Sequence, residues 1–113
     1  MSNLTPQQVI ETLSKISRDI DEATDDITQA DAEAVIARVA HKKNYARVFL
    51  ETQGSMDVKR YTADLETADT TMFASELADQ KHRAAVSQIR TLRDRLEVGR
   101  SLGPLIRLEW GQS

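Results

Sequence analysis

Cysteine is absent from the 113 residues. That excludes a disulfide framework, a thiolate nucleophile and a thiolate metal ligand. Proline occurs only at Pro6 and Pro104, and glycine only at Gly54, Gly99, Gly103 and Gly111. Nothing between residues 7 and 53 therefore punctuates the chain. Aromatic residues are 4% of the sequence, too few for the large side chains that fill a sheet sandwich. No run of about 18 apolar residues exists, so no transmembrane helix and no membrane partner are expected. Met1-Ser2-Asn3-Leu4-Thr5-Pro6 has no basic segment followed by an apolar one, so no signal peptide is expected, and a cytoplasmic location fits. The Gly-rich phosphate loop, the dinucleotide fingerprint and the serine elbow are all missing. No enzyme activity and no cofactor are expected.

What is there is charge on a helical pattern. Charged residues make up 29% of the chain, and the formal net charge is −3. Thr5-Pro6-Gln7-Gln8 reads as a helix start, with Thr5 as cap and Pro6 at the first helical position. One face then runs Leu13, Ile16, Ile20, Ala23, Ile27, Ala30, Ala34, Ala37, His41, Asn44, Val48, alternating steps of three and four. Val9, Ile10, Val35, Ile36, Val39, Phe49 and Leu50 widen it.

Gly54 marks a bend, and Ser55 with Asp57 starts a second helix. Its seam is read as Tyr61, Leu65, Ala68, Met72, Ser75, Ala78, His82, Ala85, Ile89, Leu92, Leu96 and Gly99, with Phe73 and Leu77 as a shoulder. Gly103-Pro104 is expected to end it. The fold class predicted is all-α: two long antiparallel helices in a coiled-coil-like hairpin, one domain over residues 1–113. The arms span 5–53 and 56–102, the bend lies at about 53–55, and a short tail covers 104–113. So little bulk per arm predicts assembly into a helical oligomer.

The charges fall in four blocks. Residues 1–37 hold eight acids against Lys15 and Arg18, and residues 38–60 hold six bases against Glu51 and Asp57. Residues 61–80 hold five acids and no base, and residues 81–107 hold seven bases against Asp94 and Glu97. Folding at Gly54 sets Asp31 opposite Ala78, His41 near Ala68 and Arg90 opposite Asp19, so acidic stretches face basic ones. Exposed pairs contribute about 0–1 kcal/mol each, so their use is to select orientation.

Candidate sites are few. His41 and His82 lie on seams of different arms and read as hydrogen-bonded seam residues. The run Asp19, Asp21, Glu22, Asp25 and Asp26 lacks the glycine and distal glutamate of a calcium loop, and reads as a solvated face. At the bend, Lys42, Lys43, Tyr45, Arg47, Lys59 and Arg60 are candidates for phosphate or nucleotide contacts. The alternative there is an apolar tip cluster with solvating charge. On the second arm, Arg93 and Arg100 share a face, and Arg100 lies beyond the reach of the acids on the first arm. With Arg107 and Trp110 it forms the candidate partner-binding set.

The stretches Gly54-Ser55-Met56-Asp57-Val58-Lys59-Arg60 and Ile89-Arg90-Thr91-Leu92-Arg93-Asp94-Arg95-Leu96-Glu97-Val98-Gly99-Arg100-Ser101-Leu102, closing in Arg107-Leu108-Glu109-Trp110, resemble small helical accessory proteins of tailed bacteriophages. The resemblance covers about the last 60 residues. It implies a protein of the host-cell cytoplasm that acts by binding, as adaptor or inhibitor of a host defence or DNA-metabolism protein, and it assigns no catalytic residue. Partners expected are the chain itself, as homodimer or higher oligomer, and another protein. Two alternatives stay open: a nucleic-acid-binding accessory in recombination or replication, and an oligomeric sponge for a nucleotide signal.

Overall fold

A computed structural model describes residues 5–111, with side chains detailed to 101 and at 103 and 104. Four segments follow one another: α1 (Pro6–Glu51), α2 (Met56–Thr67), a π turn (Ala68–Met72) and α3 (Phe73–Gly111). No strand occurs among the described residues, and no helix there is long and apolar enough to cross a membrane.

α1 starts where the sequence places its cap. Thr5 Oγ1 accepts from the Gln8 amide at 3.2 Å, and Gln8 Oε1 accepts from the Thr5 amide at 2.8 Å. This reciprocal pair satisfies two of the amides left over at a helix start. At the far end the Thr52 hydroxyl donates to the Val48 carbonyl at 2.6 Å. Gly54 then turns the chain with φ at 125°, a conformation that side-chain-bearing residues rarely take. Ser55 caps α2 by accepting from the Val58 amide, and Asp57 lies in its first turn.

The chain divides into two compact units: Met1–Asp26 with Ala85–Ser113, and Ile27–Ala84. α1 and α3 contribute residues to both. In each, α1 pairs antiparallel with the second arm. Every residue of the predicted α1 seam is buried or half-buried, with Ala23, Ala30, Ala34 and Val48 deepest.

The second arm departs from its predicted seam. Tyr61 and Leu65 are 67% and 78% exposed, and Ala68 and Met72 are also outside. Ala63 and Thr67 are buried instead, with Thr71 half-buried. The cause is the π turn. It takes an extra residue per turn, so the face that continues from Ser75, Ala78 and His82 is carried upstream by Thr71, Thr67 and Ala63. Buried Thr67 satisfies its hydroxyl by donating to the Ala63 carbonyl at 2.7 Å.

The pairing register also differs from the one obtained by folding at Gly54. Asp31 meets His82 Nε2 at 3.8 Å, four residues and one helical turn beyond Ala78. His41 meets Thr71, three residues beyond Ala68. The extra residue of the π turn accounts for part of this shift. The rest comes from helical side chains leaning towards their own N-terminus, in opposite directions on antiparallel arms. The match of charge sign survives the shift in the Ile27–Ala84 unit: Glu33 pairs with Lys81 at 3.7 Å and Asp79 with Arg38 at 3.8 Å. The expected pairing of Arg90 with Asp19 does not form, because the same shift moves Arg90 past Asp19, which pairs instead with Lys15 one turn away at 3.0 Å.

Gly103 and Pro104 do not end the second arm. α3 runs through both to Gly111, so helix replaces the separate tail over 104–111, and the last two residues of the predicted tail lie outside the described ones. A proline inside a helix forfeits one hydrogen bond and costs about 3 kcal/mol. The continued helix supplies the neighbour for the first turns of α1, where Pro6, Val9 and Ile10 line the same cavity as Gly103 and Pro104.

Candidate functional site

The candidate residues fall in three places. The first is the bend. Tyr45 and Phe49 lie one turn apart on α1 and stack with ring centroids 6.4 Å apart, while His41 meets Tyr45 edge-on at 6.2 Å. Lys59, at the start of α2, places its ammonium 5.6 Å from the centre of the Phe49 ring. Arg47 donates to Asn44 Oδ1 at 2.7 Å and pairs with Glu51 at 3.0 Å. Arg60 lies 4.0 Å from Asp57. Lys42 and Lys43 are exposed, with no ion pair among the described residues. Four of the six predicted phosphate contacts, Tyr45, Arg47, Lys59 and Arg60, are thus engaged with their own neighbours. For Tyr45, Arg47 and Arg60 the i, i+3 and i, i+4 spacing of a helix makes these partners the nearest available, and for Lys59 the bend brings Phe49 within reach.

The second place is the end of the Met1–Asp26, Ala85–Ser113 unit. A cavity of about 250 Å³ is lined by Pro6, Val9, Ile10, Leu13, Arg100, Gly103 and Pro104. Leu13 rests on Gly99, and a Cβ built there would collide with Leu13 Cδ2. The sequence leaves Arg100 without a partner. The structure gives it Glu97, three residues back on the same face, at 3.2 Å. Both side chains are exposed, so the pair contributes little. Arg93 is exposed, with no ion pair among the described residues. Arg107 and Trp110 fall on the last turns of α3, and their side chains lie outside the described ones.

The third place was not identified from the sequence. At the π turn, Thr71 Oγ1 lies 3.1 Å from His41 Nδ1 and accepts from Asn44 Nδ2 at 3.0 Å. One hydroxyl thereby joins two half-buried polar side chains of α1 to the second arm. The signal available was the run Thr62, Thr67, Thr70 and Thr71, unusually rich in a residue that disfavours helix interiors and bonds backward to carbonyls. His41 and His82 are both seam residues with cross-arm partners, Thr71 and Asp31.

Among the described residues, no three His, Asp or Glu side chains converge as metal ligands would. No family model, curated protein or solved structure matches the chain.

Proposed function

We infer that the chain is a non-enzymatic binding module whose partners are proteins: copies of itself and a second protein that it serves as adaptor or inhibitor. The observation that carries this is where the bulk lies. Among the described residues, the buried apolar ones are four alanines, Ala23, Ala30, Ala34 and Ala63, with only Val48, Ile89 and Leu92 among larger ones. Ile36, Leu50, Leu65, Phe73 and Leu77 are all exposed by half or more. A chain that turns its large apolar side chains outward and its alanines inward loses little by opening and gains much by association. The likeness of its second arm to phage accessory proteins directs the second partner towards a host defence or DNA-metabolism protein. Sedimentation velocity at micromolar concentration tests the self-association. A dimer or larger species is expected, and a monodisperse, folded 12.7 kDa monomer overturns it. For the second partner, Arg100→Ala and Trp110→Ala are expected to weaken binding more than Arg90→Ala does.

Nucleic-acid binding is the second reading. Lys42, Lys43 and Arg93 favour it, each exposed and without an acid partner among the described residues. Its signature is affinity that falls steeply with salt, with a slope reduced by about one unit for each lysine or arginine removed. The nucleotide-sponge reading has the least support, because Tyr45, Phe49 and Lys59 spend their ring and ammonium contacts on one another.

A further inference from the structure

One helical row on α1 has a chemistry that fits its own copy. Glu33, Ile36, Ala40 and Lys43 follow at steps of three, four and three, so they line one face. The row starts with an acid, ends with a base and is apolar between. Ile36 and Ala40 are exposed, and together with Val35, Val39 and Lys43 they line a shallow groove. The second arm continues the surface. Glu33 touches Lys81, which fixes the edge at which the two arms meet on this side. Leu77 and Phe73 lie one and two turns before Lys81 on the same row, and they are 51% and 61% exposed. All of these residues belong to the Ile27–Ala84 unit.

Resting on the reading of the chain as a binding module, we propose that this surface is its homodimer interface, with a second copy docked across a two-fold axis as a four-helix bundle. The charge order selects the geometry. An antiparallel two-fold arrangement centred between Ile36 and Ala40 places Ile36 against Ala40 of the second copy. It also places Glu33 against Lys43 of the second copy, and the symmetry forms that pair twice. A parallel arrangement sets Glu33 against Glu33 and Lys43 against Lys43, so the row repels itself. The small Ala40 side chain leaves room for the larger Ile36 and a close helix approach. Phe73 and Leu77 flank the contact and lose their exposure with it. The same device, flanking charges that choose orientation around an apolar seam, sets partner choice in coiled coils.

The full chain tests this through four variants in sedimentation, each checked for helicity by circular dichroism. Ile36→Asp and Leu77→Asp are expected to remain helical and become monomeric. Lys43→Glu and Glu33→Lys are each expected to weaken the dimer several-fold, and the double variant to restore it to about wild-type strength. If Ile36→Asp or Leu77→Asp unfolds the chain, the charge exchange still decides. A dimer indifferent to the apolar changes and to the charge exchange overturns this interface while leaving the binding-module reading intact. A wild-type chain that stays monomeric at tens of micromolar overturns both this interface and the self-association it refines. With no native cysteine, an equimolar mixture of Ile36→Cys and Ala40→Cys chains gives an independent check. The expected disulfide is between unlike chains, and failure to form it in a demonstrated dimer counts against the antiparallel arrangement.

Discussion

His41 Nδ1 and Thr71 Oγ1 lie 3.1 Å apart, and the same oxygen accepts from Asn44. Removing the hydroxyl leaves a half-buried amide without its acceptor. Thr71→Val is therefore expected to lower stability by about 1–3 kcal/mol, and Thr71→Ser to recover most of it. Chemical denaturation measures both. Equal losses in the two variants would assign the effect to the methyl group and not to the hydrogen bond.

The cross-arm register is open to crosslinking. Asp31 with His82 and Glu33 with Lys81 place Ala34 beside Ala78, both on the seams. The double variant Ala34→Cys/Ala78→Cys should form an intramolecular disulfide readily. Ala30→Cys/Ala78→Cys, the pair implied by simple folding at Gly54, should form it poorly. The opposite ranking in gel mobility under oxidising conditions would return the register to that simpler one.

Gly54 takes φ at 125°, and a Cβ there would also sit 3.1 Å from Val58 Cγ1. Gly54→Ala is expected to cost about 1–3 kcal/mol, the range for a side chain held in a sparsely populated region. A melting temperature unchanged from wild type would show that the bend relaxes into another turn.

At Gly99 the close neighbour is the flexible end of Leu13, not backbone. Gly99→Ala combines displacement of that methyl group with a helix preference of about 1 kcal/mol in favour of alanine, so it should be near neutral. Gly99→Leu has no such offset for its extra bulk and should lose about 1–3 kcal/mol. Tolerance of leucine in urea denaturation would mean that the two helices separate freely at this level.

Much of the architecture was legible in the residues. The step pattern from Leu13 to Val48 named every α1 seam position, Thr5 with Gln8 marked the start of α1, and Gly54-Ser55 marked the bend. The failures have local causes. The seam from Tyr61 to Met72 was extrapolated with an α-helical period, and one π turn invalidates that period without any glycine or proline to announce it. Pro104 breaks a helix by propensity alone, yet α3 runs through it where Pro6, Val9 and Ile10 of α1 line the same cavity. Arg100 was assigned by long-range register, whereas Glu97 three residues away was the nearer partner. The cluster at Thr71 was missed because a hydroxyl on a helix carries no pattern of its own. It acquires partners only when the register brings His41 and Asn44 beside it.

The π turn has a consequence for how this stretch tolerates change in length. Upstream of it lie two interleaved sets of side chains, Ala63 and Thr67 turned inward, Tyr61 and Leu65 turned outward. Relaxing the turn into α-form with every residue kept would rotate everything before it by about 100°, whereas loss of one residue between Ala68 and Met72 would absorb that rotation and leave Ala63 and Thr67 turned inward. In the first case the bulky set would swing in and the alanine–threonine set out, within the same helix and with the same composition. Residues 56–72 thus encode two phases of one helix, and the π turn selects the thin, polar-pinned seam over the thick, greasy one.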